Sequence, residues 1–441
     1  MYSAEWILAL KLQIVIAIGC FILAISLFRI PKRTAAVAVL IFNSIPITTP
    51  PGFATPLFLH DFFVPIMLLL LQCRYKKGRL FQLALLAILV WPLMGVIVGK
   101  FIEPSGNDWI TFIYRRLGFI TFFSFAAIGI FPDIDLEDFM DTCNIVWSCM
   151  AIVGILQYYG VWNVDFDTLT SEFQDKTILE SVAAQRGFMG LNRGAIGLWG
   201  TVFSTYCFAQ LTFRNNIGVF RNILYIISML LTCIVILFAG SRTGLAAILV
   251  SWGYVLCQSL RFSRKANFHR LFPFVIIIFG LFMYIVAPVF EVIGGRYIYA
   301  LSNVSVDDRA EVQLEAIEYI FSNARPMIIG MGYSEGEFTS IIKTGLSHPH
   351  SEYIEVLWVS GIIGLMTYLG FLFYLYRAME FNRNVDSGCI AIRGMIIAGL
   401  VMGFGVGHIM ITTTRLASFG MLILFIYGLA VKRSYLQCKF A

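Results

Sequence analysis

Two histidines, His348 and His350, lie in the segment Ser347–Tyr353, directly before an apolar run that covers residues 354–376. The imidazole group changes its charge near neutral pH, so a histidine at the mouth of a membrane helix can accept a proton from a substrate. This placement predicts acid–base chemistry at a membrane surface. Ordinary loop histidines have the same sequence pattern, and the other residues of the chain decide between the two interpretations.

Arginines lie beside apolar segments. Arg193 lies within Gly190–Ala195 and Arg242 within Gly240–Gly244, and both are surrounded by small residues, while Arg309 lies in a long polar loop. A cation next to hydrocarbon is costly and usually faces a polar cavity or a partner. The guanidinium fork suits phosphate oxygens, so Arg193 and Arg242 are candidates for binding an anionic head group. Arg309 agrees equally with a solvated position on the loop surface. An arginine at a helix end also snorkels to the membrane interface, and this alternative stays open.

The composition predicts the elements that must position these groups. Of 441 residues, 59% are hydrophobic and only 13% are charged, which is more apolar surface than one soluble core can bury. We therefore expect an all-α polytopic membrane protein with about 12–14 transmembrane helices. Residues 1–441 then form a single integral membrane domain.

Basic residues give the orientation of these spans. They cluster in connectors near residues 29–33, 74–79, 214–221, 261–270, 377–393 and 432–439. By the positive-inside rule these connectors face the cytoplasm. The net charge of +6 is then a signal of topology, and we expect no nucleic-acid partner.

The opposite side receives the loop 292–350, which we expect to be structured. Ser305 followed by Asp308 has the pattern of a capping box. After it, Val312, Leu314, Ile317, Ile320 and Phe321 recur at roughly helical spacing, which predicts an amphipathic helix inside this loop. No cluster of acidic residues with the spacing of metal ligands occurs on this side, so we expect a reaction without a metal or another cofactor.

Several segments together carry a family resemblance. They are Gly187–Arg193, Phe238–Gly244, Asp308–Arg309, Gly330–Tyr333, His348–Tyr353 and Ser360–Gly364. In their order and spacing the chain resembles the O-antigen ligase and polymerase superfamily of bacterial membrane glycosyltransferases. The resemblance covers roughly residues 185–375 and implies a fold of the GT-C-like type. It also implies a donor glycan on undecaprenyl diphosphate, presented at the periplasmic face of the inner membrane.

The resemblance assigns roles to individual residues. It implies that His350 is the catalytic histidine, with His348 and Ser351 as secondary candidates. The family's motif has an asparagine at the position where this chain has Ser351. Arg193 and Arg242 are expected to bind the diphosphate, and Arg309 is a further candidate. Transfer from a lipid diphosphate needs a base for the acceptor hydroxyl and positive charge for the leaving group, and these residue types supply both.

Three functions agree with these residues. The first is a polymerase that joins repeat units of an O-antigen or exopolysaccharide, with the lipid-linked oligosaccharide as substrate and a chain-length regulator as a possible partner. The second is an O-antigen ligase that transfers the glycan to lipid A–core. The third, from another class, is a transporter or flippase of a lipid-linked anionic substrate. The clustering of the candidate residues at one face favours chemistry over passage.

Overall fold

The structure is a computed structural model of the full chain. It describes residues 4–42, 46–48, 57–58, 62–72, 79–102, 108–129, 133–158, 193–214, 217–239, 241–262, 308–332, 338, 340–342, 351–379, 386–405 and 417–440.

Helices account for nearly all of this described part. In chain order the elements are α1 (Ala4–Ser26), α2 (Lys32–Phe42), β1 (Pro46–Thr48), β2 (Leu57–Phe58), α3 (Phe63–Gln72), α4 (Arg79–Leu85), α5 (Trp91–Ile102), α6 (Asp108–Ile128), α7 (Leu136–Tyr158), α8 (Arg193–Phe213), α9 (Val219–Phe238), α10 (Arg242–Arg261), α11 (Asp308–Ser322), α12 (Ala324–Ile328), α13 (Glu352–Ala378), α14 (Ser387–Met402) and α15 (Ala417–Phe440). A π-helical turn, Leu86–Val90, joins α4 to α5. The strands β1 and β2 form one short antiparallel pair.

Five described helices are long and apolar enough to cross a membrane. They are Leu80–Val98, Leu136–Leu156, Val219–Phe238, Thr243–Arg261 and Glu352–Ala378. Large apolar side chains such as Val219, Phe220 and Leu249 are exposed on them, as expected where lipid is the solvent. The predicted all-α polytopic membrane protein is confirmed, while the count of 12–14 spans stays a prediction.

The chain divides into two compact units, each made of segments that are distant in sequence. The first unit holds α1, α2, α7 to α10 and α14. The second holds the strand pair, α3 to α6, α11 to α13 and α15. Each unit therefore depends on contacts between helices that are far apart along the chain.

A buried polar network ties α7, α8 and α9 together in the first unit. The Asp141 carboxylate accepts hydrogen bonds from the Tyr225 hydroxyl of α9 (2.6 Å) and the Tyr206 hydroxyl of α8 (3.4 Å), and it pairs with Arg221 Nε (3.1 Å). One helical turn later, Asn144 Oδ1 accepts from the Ser228 hydroxyl (3.0 Å). Apolar helices in lipid gain little from burying more apolar surface, so packing and bonds of this kind hold the bundle together.

Close packing at small residues holds helices together in the second unit. At Gly428 on α15, an added Cβ would lie only 2.5 Å from the Phe123 carbonyl oxygen and 2.7 Å from Ala126 Cβ on α6. The two helix backbones therefore approach each other as closely as glycine allows. This contact holds α6 against α15. Arg115 and Arg116, about two turns earlier on α6, are buried.

Candidate functional site

Arg193 and Arg242 are the first residues of two helices that lie side by side. Arg193 begins α8 and Arg242 begins α10. The helices are in contact at Gly197 and Gly244 near their starts, and further along the Thr205 hydroxyl lies 2.7 Å from the Ser251 hydroxyl. Both helices advance in the same direction between these contacts, so they run parallel and their N-terminal ends lie at the same end of the unit.

Glycine makes the contact between these two helix starts. A Cβ on Gly197 would collide with the Ser241 hydroxyl and lie 3.1 Å from Gly244 Cα, and a Cβ on Gly244 would lie 2.6 Å from Gly197 Cα. The Thr201 hydroxyl donates to the Gly197 carbonyl (2.6 Å) and lies 3.3 Å from that of Gly244. The first turns are therefore in direct backbone contact.

Ser241 defines where α10 begins. Its backbone lies outside the helical region (φ −81°, ψ 88°), and its Oγ accepts a hydrogen bond from the Gly244 N–H at 3.3 Å. A serine in this position is a strong N-cap. The segment Gly240–Gly244, which the sequence presents as a turn between two spans, therefore contains the cap and the first turn of α10.

This arrangement favours binding of an anion. Each helix carries a partial positive charge at its N-terminus, and its first N–H groups have no partners within the helix. Two parallel helices add these charges at one end, and an arginine stands first in both. Phosphate groups bind at helix N-termini for the same physical reason.

Arg309 and Ser351, the other candidate residues with a described backbone, belong to the second unit. Arg309 is the second residue of α11, and the side chains of Arg193, Arg242 and Arg309 lie outside the described part of the chain. His348 and His350 lie outside the described residues, which resume at Ser351. The structure therefore places Ser351 and the starts of the three helices that carry the arginines.

Ser351 anchors the chain at the point where α13 begins. Its extended backbone (φ −136°, ψ 127°) makes it the N-cap residue, but its side chain makes no capping bond. The buried Ser351 hydroxyl donates instead to the Gly403 carbonyl oxygen at 3.1 Å, and the Glu352 N–H donates to the same oxygen at 2.9 Å. Two hydrogen bonds to Gly403 thus fix Ser351 and Glu352, the two residues that directly follow His350.

Two acidic residues follow Ser351 in the first turn of α13. Glu352 is 1% exposed, and its Oε1 accepts a hydrogen bond from the Tyr368 hydroxyl at 2.7 Å. Glu355 is also buried. The N-terminal end of a helix favours negative charge. Glu352 lies within the segment His348–Tyr353 of the sequence. Its position directly after Ser351, before an apolar run, is the signal that could have predicted an acidic residue in the first turn of a helix.

A break in α13 explains two glycine segments of the family pattern. Gly361 has φ 65° and ψ −171°, which interrupts the helix. Before the break, the carbonyls of Trp358 and Val359 accept hydrogen bonds from Met331 N–H (2.6 Å) and Gly332 N–H (3.2 Å). A Cβ on Gly330 would also collide with the backbone nitrogen of Ser360. Gly330–Gly332 and Trp358–Ser360, far apart in sequence, therefore meet through their backbones.

The helix α11 packs against the same part of α13. Val312, Ala316 and Ile320 are fully buried in a cluster that includes Trp358. Leu314 and Phe321, which have the apolar spacing of the predicted helix, are exposed. The buried face is thus the 312–316–320 stripe.

Arg115 and Arg116 on α6 are both buried. The Arg116 guanidinium lies over the Phe112 ring, 4.7 Å from its centre, a geometry in which the π-electrons stabilise the cation. Among the described residues, no group of three histidine, cysteine or acidic side chains is placed to hold a metal ion. The absence of a metal from the reaction stays a prediction.

A protein-family model matches part of the chain. Residues 227–369 match the family model Wzy_C, described as O-antigen ligase. The matched segment includes Arg242, Arg309, His350 and Ser351, while Arg193 lies before it. The resemblance to the O-antigen ligase and polymerase superfamily is thereby confirmed over this part of the chain. No curated protein matches the chain significantly.

Proposed function

We propose that this chain, which carries the Wzy_C match of the O-antigen ligase and polymerase superfamily, is a polysaccharide polymerase of the bacterial envelope. Proteins of this family are glycosyltransferase-like enzymes of O-antigen ligase or polymerase type. In our proposal the enzyme transfers a glycan from undecaprenyl diphosphate to an acceptor sugar hydroxyl. The reaction takes place at the periplasmic face of the inner membrane.

The observation that carries the proposal is the pair of parallel helix starts at Arg193 and Arg242. The bond between the anomeric carbon and the diphosphate oxygen breaks during transfer, and negative charge develops on the leaving group. Two helix N-termini and two guanidinium groups in one place would stabilise that charge without first having to rearrange. Arg309 is proposed as a third cation toward the same diphosphate.

His350 is proposed as the general base. The acceptor hydroxyl oxygen attacks the anomeric carbon, its proton passes to the imidazole, and the lipid diphosphate departs with the electron pair of the broken bond. A direct displacement of this kind inverts the configuration at the anomeric carbon. Ser351, held by Gly403, would fix the backbone next to that base, with His348 as the alternative base. The reaction needs no metal in this proposal.

Complementation of a deletion strain tests the catalytic assignment. For a polymerase, His350→Ala should leave surface glycans with one repeat unit, because the lipid-linked unit is made but not extended. Arg193→Lys and Arg242→Lys should also impair extension, because an ammonium group cannot reproduce the two-point contact of a guanidinium. Normal glycan length in the His350→Ala strain would reject His350 as the base. Normal length in both lysine strains would reject binding of the diphosphate by the guanidinium groups of Arg193 and Arg242.

A ligase is the second candidate, and the description of the matching family favours it. The same donor chemistry serves both enzymes, so only the acceptor distinguishes them. If deletion leaves long lipid-linked chains that never reach lipid A–core, the enzyme is a ligase. A polymerase would be expected to associate with a chain-length regulator, which co-purification from the native membrane tests.

Transport is the third candidate, and the break at Gly361 bears on it because transporters use interrupted membrane helices near their substrates. Proteoliposomes with labelled lipid-linked donor separate the two classes. The proposal expects the donor to be consumed only when an acceptor glycan is present. Movement of intact donor between leaflets, without transfer, assigns the protein to the transporters.

A further inference from the structure

The contact between Gly197 and Ser241 brings the two arginine-bearing helix starts to a fixed separation. Gly197 lies one helical turn after Arg193, the first residue of α8, and Ser241 directly precedes Arg242. Both Gly197 and Ser241 are buried. Any atom inserted between them would therefore move one helix start relative to the other.

The Ser241 hydroxyl has two roles in this contact. It caps α10 by accepting from the Gly244 N–H at 3.3 Å. It also occupies the space beside Gly197 in which a Cβ would otherwise stand. The cap thus sets the residue at which α10 begins, and the lack of a side chain at Gly197 sets how near α8 comes to it.

We infer that Ser241 is a positioning residue, and that its packing against Gly197 sets the separation at which Arg193 and Arg242 act on one diphosphate. The inference rests on the proposed function, because it uses the same anion site. Neither Ser241 nor Gly197 needs to touch the substrate. A shift of about 1 Å in groups that position a substrate is enough to lower a rate substantially.

Size compensation provides the test. Gly197→Ala adds a methyl group that collides with the Ser241 hydroxyl, whereas Ser241→Gly removes that hydroxyl and keeps a residue type that still begins helices well. The double variant therefore regains room for the methyl group, although Gly244 Cα remains 3.1 Å from it. Gly253→Ala is the matched control on α10, because a Cβ there meets no atom within 4 Å.

Two readouts are needed on purified full-length protein. The first is transfer from a lipid-diphosphate-linked donor, where Gly197→Ala should lower kcat/KM for the donor about tenfold and the double variant should recover most of that loss. The second is protection against thermal unfolding by inorganic diphosphate, which should weaken in Gly197→Ala, return in the double variant and stay unchanged in Gly253→Ala. A purely structural role would lower the melting temperature without diphosphate and leave KM unchanged.

Each outcome separates the inference from the proposed function. If the wild-type protein transfers no glycan but is protected by diphosphate in the expected variant order, the polymerase proposal fails and the positioning role stands. If transfer is normal in Gly197→Ala, or if Ser241→Gly brings no recovery to it, the positioning role is overturned and the polymerase stands. A wild-type protein that diphosphate does not protect overturns the positioning role as well.

Discussion

Replacement of Arg221 by methionine should destabilise the first unit strongly. Arg221 pairs through Nε with Asp141 (3.1 Å) and through a terminal nitrogen with Asp138 (2.7 Å). The Asp141 side chain is 0% exposed, whereas that of Asp138 is 24% exposed. Loss of the cation would leave the Asp141 carboxylate buried with hydrogen bonds from tyrosine hydroxyls as its remaining support.

The size of the loss follows from this burial. Removing one partner of a buried ion pair costs about 3–5 kcal/mol, because the other charge is left in a medium of low polarity. We expect about 3 kcal/mol for Arg221→Met, since water still reaches the Asp138 side of the network. Replacing Asp141 by leucine in the same chain should recover most of that loss, because a buried pair exchanged for apolar side chains is often neutral.

Unfolding by SDS in mixed micelles, followed by tryptophan fluorescence, measures the free energy. Arg33→Gln is the control: Arg33 pairs with Asp133 at the same 3.1 Å, but the side chains are 75% and 56% exposed, so its loss should stay below about 1 kcal/mol. If Arg221→Met is no more destabilising than Arg33→Gln, the reasoning from burial is refuted.

The same variant also separates stability from catalysis. Tyr206, the network residue on α8, lies thirteen residues after Arg193, which at the helical rise is about 20 Å along the helix. The fraction of Arg221→Met protein that is folded should therefore keep the wild-type KM for the donor. A raised KM in that fraction would show that the network and the arginine site are coupled.

Two further variants test the second unit. Gly361→Ala should lower the melting temperature of the protein in detergent, because its backbone lies in a region that only glycine adopts without a cost of about 1–3 kcal/mol. The Ile328 backbone also occupies the space of a Cβ there, whereas Gly370→Ala, on the same helix in open space, should have no effect. Tyr368→Phe removes the hydroxyl that donates to Glu352 and should cost about 1–3 kcal/mol in SDS unfolding, because a buried charged acceptor loses a partner; an unchanged unfolding curve would contradict this.

The sequence predicted the class of fold, since composition alone requires lipid as the solvent, while the residues assigned to the chemistry stay a prediction. It did not predict how the segments that carry these residues meet. The parallel course of α8 and α10 depends on contacts between Gly197 and Gly244, which are distant in the chain. A glycine gives no sign in one sequence of which backbone will approach it.

Side-chain partners were also beyond prediction. The hydrogen bond from Ser351 to Gly403 joins residues separated by α13 and α14, and the ion pair of Arg221 with Asp141 joins residues on either side of α8. Arg214 and Arg221 were interpreted as signals of topology, yet both form ion pairs with acidic residues of α7. A charge that orients a span and a charge that binds a neighbouring helix have the same appearance in sequence.

Three glycines of the family pattern, Gly244, Gly330 and Gly361, lie at close backbone contacts, and so does Gly197, which is outside that pattern. Gly197 and Gly244 let two helix starts touch, and Gly330 and Gly361 let a loop meet a broken helix. In lipid, helices gain little from burying more apolar side chains, so close backbone approach becomes a main source of specificity. A substitution at Gly197 should therefore displace the helix starts that we propose to bind the diphosphate, while substitutions in the polar network should lower stability alone. A comparison of two variants tests this difference. Gly197→Ala is expected to change the KM for the donor, whereas Arg221→Met is expected to change only the free energy of unfolding.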